Sequence, residues 1–79
     1  MNKIAVIGGR DSVLGFRALG LETCIAENGE QAKAAIHRMA KENYAIIYLT
    51  EYLAAQIPAL IERRREDLFP AIILIPGRE

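Results

Sequence analysis

Ile4-Ala5-Val6-Ile7-Gly8-Gly9, close to the start of the chain, is the stretch that decides the fold. Four apolar residues without polar alternation, ended by two glycines, are typical of a short strand buried on both faces. Such strands belong to parallel sheets, because these sheets carry helices on both faces. The stretch therefore predicts an α/β domain.

Three further extended segments follow it. Residues 44–49 are apolar at both parities and rich in β-branched and aromatic side chains, which indicates a central strand. Residues 22–26 have charged flanks and indicate an edge strand. Residues 71–75, between Pro70 and Pro76, indicate the last strand.

Helical patterns separate these strands. We expect the first helix to begin at a cap formed by Asp11 or Ser12 and to end at Gly20, where a left-handed residue is favoured. The second begins at Asn28, with Gln31 three residues later in the capping-box position.

The third helical pattern contains a proline and ends in three arginines. We expect Thr50 to cap this helix. Pro58 should kink the helix or split it in two, because proline has no amide donor, and of these we predict a kink. Arg63, Arg64 and Arg65 fit a solvated helix end, where the dipole favours cations. The functional interpretation of the three arginines is a contact patch for an acidic protein partner.

The alternation predicts a small flavodoxin-like (CheY-like) parallel sheet of four strands, order 2-1-3-4, with three helices in a single domain over residues 1–79. Right-handed crossovers place the first helix on one face of the sheet and the later helices on the other. The third and fourth strands should then show bare apolar surface on the first helix's side. Which parity faces outward stays open. The two sets are Tyr44, Ile46 and Tyr48, or Ala45, Ile47 and Leu49.

Composition narrows the classes of function. The 79 residues are 52% hydrophobic, and ten basic residues balance ten acidic ones, which argues against nucleic acid or an anionic membrane as the main partner. Cys24 is the only cysteine, so neither an internal disulfide nor a thiolate metal cluster can form. No apolar stretch is long enough for a signal peptide or a membrane span. We expect a cytoplasmic protein without a metal or cofactor.

Catalytic patterns are weak. The loop over residues 8–15 lacks both the Gly-x-Gly-x-x-Gly spacing and a Gly-Lys-Ser/Thr ending, so it indicates a plain turn rather than a nucleotide site. A receiver-like phosphotransfer domain needs an acidic pair after the first strand and an aspartate after the third. The chain has only Asp11 and Thr50-Glu51 there. His37 and Cys24 have no partner that would activate them. We predict no catalytic residue, and a receiver-like or small-ligand-binding signalling domain is the alternative function.

Three segments together resemble the F subunit of V-type and A-type rotary ATPases. The first is Ile4-Ala5-Val6-Ile7-Gly8 running into Asp11-Ser12-Val13-Leu14-Gly15-Phe16. The second is the apolar strand closed by Thr50-Glu51, and the third is Pro70-Ala71-Ile72-Ile73-Leu74-Ile75-Pro76-Gly77. The three segments have the order and spacing of that family, and together they span nearly the whole chain.

This resemblance implies a non-catalytic subunit of the central rotor shaft, bound to the long coiled-coil D subunit beneath the catalytic A and B subunits. In that family a C-terminal helix follows the Pro-Gly segment, reaches the catalytic head and is tied to regulation of ATP hydrolysis. The chain resembles the N-terminal domain without that helix. A coiled coil docked on the bare face would supply the missing layer, and without it we expect the same face to drive self-association. The candidate partner-binding residues are Ile46, Ile47, Tyr48 and Leu49 of the third strand, Ile73 and Leu74 of the fourth, and Arg63, Arg64 and Arg65.

Overall fold

The computed structural model of the chain describes residues 3–77. Four parallel strands form one sheet in the order β2-β1-β3-β4, which confirms the predicted order. The strands are β1 (Lys3–Gly8), β2 (Glu22–Ile25), β3 (Tyr44–Thr50) and β4 (Ala71–Ile75). β2 lies at an edge as predicted, and β4 forms the other edge.

Helices alternate with the strands. They are α1 (Arg10–Ala18), α2 (Gly29–Lys41), α3 (Glu51–Ala54) and α4 (Pro58–Arg64). Four helices are present in this part of the chain instead of three, because the third helical pattern is split in two at Pro58, one of the two expected outcomes, and not kinked. Ile57 leaves the helical conformation, with φ −134° and ψ 53°, and Pro58 starts a new helix. Proline is better placed in a first turn, where its missing N–H costs nothing, than inside a helix.

The helix ends match the predicted caps in part. The Asn28 side chain accepts a hydrogen bond from the backbone N–H of Gln31 at 2.9 Å, which confirms the cap of α2. Gly20 has φ +86° after the end of α1, also as predicted. The predicted start of α1 is wrong, since Gly9 is its N-cap residue. Thr50 is the N-cap residue of α3, but its fully buried side chain makes no cap hydrogen bond.

Two layers of helices cover the sheet unequally. α2, α3 and α4 pack on one face and enclose the main core, which includes Ile7, Ile47 and Leu49 of the sheet and Ile36 and Met39 of α2. α1 packs on the opposite face over β1 and β2. None of the helices described between residues 3 and 77 covers β3 and β4 on that second face.

Tyr44 anchors the amino-terminal end of the sheet. Lys3 pairs with Tyr44 but Ile4 pairs with Ile46, so Ala45 is an extra residue that shifts the register. This bulge turns Tyr44 into the core, where 2% of it is exposed. Lys3 Nζ lies 5.1 Å from the centroid of its ring. A hydrogen bond to the Glu22 carboxylate raises the pKa of the Tyr44 phenol, and burial acts in the same direction.

The helices are short compared with the thickness of a bilayer. No helix in residues 3–77 is long and apolar enough to span a membrane.

Candidate protein-binding surfaces

The crevice beyond the carboxyl ends of β1 and β3 is the place where open α/β sheets of this order bind small ligands. Here the side chain of Thr50 is fully buried in that crevice. A Cβ placed on Gly8 would lie 2.6 Å from Thr50 Cγ2, and one placed on Gly77 would lie 2.7 Å from the same atom. The threonine methyl thus fills the space between the two glycines. This filling disfavours the receiver-like or small-ligand-binding alternative.

The acidic residues near the crevice lie in the first turns of two helices. Asp11 is in α1 and Glu51 is in α3, and both side chains are exposed. Thr50, between Gly8 and Gly77, occupies the end of the third strand, where a receiver-like site would place its acceptor carboxylate. The geometry therefore shows no acidic pocket around these described residues.

The uncovered part of the sheet lies beside α1, and we call it the open face. It consists of Ile46 and Tyr48 on β3 and Ala71, Ile73 and Ile75 on β4, which the register places side by side. Ile73 is 42% exposed, and the other four are half-buried. The predicted bare apolar surface on the third and fourth strands is confirmed.

The structure also decides which parity faces outward. Ile47 and Leu49 are fully buried beneath α2, α3 and α4. They are therefore not on the surface, and these two candidates for partner binding are withdrawn. Tyr44 does not share the open face with Ile46 and Tyr48, because the bulge at Ala45 reverses its direction.

Leu74 lies on the other side of the sheet from Ile73. It is 46% exposed and borders a groove between α4 and β4, which we call the β4 groove. The groove has an apolar floor and a charged rim. It is lined by Ile61, Ala71, Ile72, Leu74, Arg64, Arg65 and Asp67.

The three arginines are separated from the open face. Arg64 Nη1 lies 3.1 Å from Asp67 Oδ2, and Arg65 Nε lies 3.5 Å from Glu62 Oε1. Arg63 is exposed on another side of α4. Arg64 and Arg65 thus belong to the β4 groove, and the arginines do not form one patch with the open face.

One exposed apolar pair was not among the predicted residues. Leu68 is 82% exposed and Phe69 is 71% exposed, in the loop between α4 and β4. Phe69 precedes Ala71, the first residue of β4, by two residues. The sequence contained a signal for this exposed pair. The two residues are adjacent, apolar and outside any helical or strand period, and they stand just before Pro70.

Comparison with known proteins identifies the family. A family model described as the ATP synthase (F/14-kDa) subunit matches residues 4–79. The F subunit of the V-type ATP synthase of Fusobacterium nucleatum is 49% identical over 79 residues, which are 100% of this chain and 75% of that protein. The F subunit of the A-type ATP synthase of Methanothermobacter thermautotrophicus is 33% identical, over 98% of this chain and 74% of that protein.

A solved structure supports the same fold. The crystal structure of the V-type ATP synthase F subunit of Archaeoglobus fulgidus superposes with a TM-score of 0.81 at 18% identity. The match covers 94% of this chain and 96% of that one. The family model and the identity to relatives from bacteria and archaea, together with the strand order, show that the chain belongs to the family of F subunits of V-type and A-type ATP synthases.

Proposed function

We propose that this chain is a non-catalytic central-stalk subunit of a V-type or A-type ATPase that binds the coiled-coil D subunit of the rotor. In this role it contributes to rotary coupling and to the regulation of ATP hydrolysis. The observation that carries the proposal is the open face, where β3 and β4 present apolar side chains beside α1 without a helix over them.

A helical partner suits the shape and chemistry of this face. A sheet in an α/β domain is normally covered on both sides, and a docked helix supplies the layer that α1 leaves out. Fully burying an isoleucine contributes about 1.5–3 kcal/mol. Ile73 is 42% exposed, so its further burial contributes about 1 kcal/mol.

The cellular location of the chain and the assignment of ATP hydrolysis to other subunits follow from this role. The chain lies in the cytoplasm, peripheral to the membrane, and the catalytic A and B subunits handle ATP. In the relatives from Fusobacterium and Methanothermobacter, about a quarter of the protein lies outside the matched region. We propose that contact with A and B, through which the subunit takes part in regulation, is made by a segment of that kind.

Co-expression with the D-type rotor subunit of the same complex tests the proposal. We expect a one-to-one complex that survives gel filtration. Ile73→Asp should weaken it by about tenfold or more, because the substitution loses apolar burial and places a charge in the interface. Ala34→Asp, on the exposed surface of α2, is the matched control and should bind as the wild type does.

Two results would count against the proposal. One is the absence of a complex although the wild-type chain is folded. The other is equal binding by the Ile73→Asp and Ala34→Asp variants, which would place the interface elsewhere. Gel filtration of the chain alone over a concentration series tests the related expectation that the open face drives self-association when D is absent.

A further inference from the structure

We propose that the Asn28–Gly29 peptide is a deamidation site that the fold holds in check through Gln56. The side chain of Gln56, from the junction between α3 and α4, accepts a hydrogen bond from the backbone N–H of Gly29 at 2.8 Å. The inference concerns a chemical modification of the chain, and it is independent of the open face and of the proposed function.

An asparagine followed by glycine is reactive because glycine has no side chain to shield its backbone nitrogen. Once the Gly29 nitrogen has given its proton to a base such as hydroxide, it attacks Asn28 Cγ. The new N–Cγ bond closes a succinimide ring, and the bond from Cγ to Nδ2 breaks, so that the side-chain nitrogen takes up a proton and leaves as ammonia. Water then opens the ring at one of its two carbonyls and leaves aspartate or isoaspartate at position 28.

The first obstacle to this reaction is the hydrogen bond at the attacking nitrogen. Gly29 is the first residue of α2 and is buried. Its N–H donates to Gln56 Oε1, so a base has to displace Gln56 before it can remove the proton. Gln56 is 27 residues away in the sequence, so this obstacle is present only while α2 stays packed against the junction between α3 and α4.

The second obstacle is the conformation of Asn28. Its side-chain Oδ1 accepts a hydrogen bond from the N–H of Gln31 at 2.9 Å, and its ψ is 175°. Ring closure needs the Gly29 nitrogen to rotate toward Cβ about the Cα–C bond, which the extended ψ of the cap opposes. This obstacle is the weaker of the two, because Asn28 is exposed and helix ends fray.

Packing explains why a glycine stands at this reactive position. A Cβ on Gly29 would lie 2.8 Å from Gln56 Cβ and 3.2 Å from Ile57 Cγ2. The junction between α3 and α4 therefore leaves no room for a side chain there. The contact that requires a glycine is the same contact that covers its nitrogen.

The two products differ in their effect on α2. Aspartate retains a side-chain oxygen and remains a good cap. Isoaspartate places an extra methylene group in the main chain, which shifts Gly29 relative to Gln56. The modification would thus open the contact that had prevented it.

Peptide mapping by mass spectrometry measures the rate of deamidation at Asn28 in the full chain at mildly alkaline pH. We expect the folded wild type to react more than about tenfold more slowly than the chain unfolded in urea, because the reaction requires the Gln56 contact to open. Gln56→Leu removes the acceptor and should raise the rate in the folded chain about tenfold. Gln56→Glu retains an acceptor oxygen and should react as the wild type does.

Ile47→Val is the control that separates local opening from global unfolding. It removes a fully buried methyl group from the core on β3 and leaves Gln56 in place, so it should react as the folded wild type does. Equal rates in the folded and unfolded wild type would overturn the protection, and no reaction in the unfolded chain would overturn the site. A rate in Gln56→Leu equal to that of the wild type or of Ile47→Val would overturn the role of Gln56. Binding to the D subunit is a separate measurement, so these outcomes leave the proposed function intact.

Discussion

Replacing Gly8 with alanine tests whether the crevice at the carboxyl ends of the strands is filled as the structure shows. The new Cβ would lie 2.6 Å from Thr50 Cγ2, about 1 Å inside an ordinary carbon–carbon contact. The methyl has little room to move, because Thr50 is fully buried and a Cβ on Gly77 would lie 2.7 Å from the same atom. Overpacking of this kind destabilises by about 1–3 kcal/mol, so Gly8→Ala should lower the free energy of unfolding by that amount.

A double-mutant cycle isolates this one contact. Thr50→Ser removes the methyl and keeps the hydroxyl, at a cost of about 1 kcal/mol for the lost buried group. In its absence the nearest atoms to the new Cβ are Val13 Cγ1 at 3.4 Å and Ser12 Cβ at 3.5 Å, which are ordinary contacts. Gly8→Ala should then be nearly neutral in the Thr50→Ser background, and the coupling should equal about 1–3 kcal/mol.

Urea unfolding followed by circular dichroism measures all four proteins. With an m-value of about 1 kcal/mol per M for a chain of this size, Gly8→Ala should lower the midpoint by about 1–3 M. Gly15→Ala is the matched control, because nothing lies within 4 Å of its new Cβ and it lies inside α1. Gly15→Ala should raise the free energy of unfolding by about 0.5–1 kcal/mol. If the Gly8 and Thr50 effects simply add, the reasoning about the filled crevice is refuted.

Two further substitutions test the ends of the elements. Tyr44→Phe should lower the free energy of unfolding by about 1 kcal/mol, because it removes the hydrogen bond to Glu22. Because that bond raises the pKa of Tyr44, its stabilisation is complete below pH 10 and is lost as pH rises from 10 through the folded-state pKa. Urea unfolding at pH 7 and above pH 10 should therefore show a smaller gap between wild type and Tyr44→Phe at the higher pH, and a constant gap would contradict this assignment. Asn28→Ala should lower the unfolding free energy by about 1 kcal/mol because α2 loses its cap at Gln31, and an unchanged urea midpoint would argue against the cap.

The strand order could be predicted because it depends on patterns that are local in the chain. β1 and β3 are apolar at both parities, so they had to be interior, and the charged flanks of β2 placed it at an edge. Asn28 and Gln31 fixed the start of α2 for the same reason, since a cap involves only neighbouring residues. The start of α1 is the exception, because Asp11 and Ser12 offered a local cap signal and the helix begins after Gly9 instead.

Features that depend on packing between segments could not be predicted in the same way. The extra residue at Ala45 reverses the direction of Tyr44 relative to Ile46, and it is visible only in the pairing of β3 with β1. Thr50 is the N-cap residue of α3, as expected, but its side chain makes no cap hydrogen bond. Its methyl group instead fills the space between Gly8 and Gly77, which are distant in the chain. The open face was predicted from the number and placement of the helices. Which alternate residues of β3 lie on it could be decided only from the strand register in the structure.

The contrast between the filled crevice and the open face favours a macromolecular partner over a small ligand. A small molecule gains affinity by being enclosed, and Thr50 already fills the place where this fold usually encloses one. The open face offers half-buried side chains on a sheet, and the further burial of any one of them contributes little binding free energy. Only a partner that covers Ile46, Tyr48 and Ile73 together can add these contributions.

The same surface links binding to stability. A domain of this size buries only about 60% of the surface of its unfolded chain, so its own core leaves a small margin. A partner that binds only the folded chain raises that margin by RT ln(1 + [L]/Kd), about 2.7 kcal/mol at a hundredfold excess over Kd. The open face is therefore where an outside helix would contribute both to assembly and to the stability of the sheet.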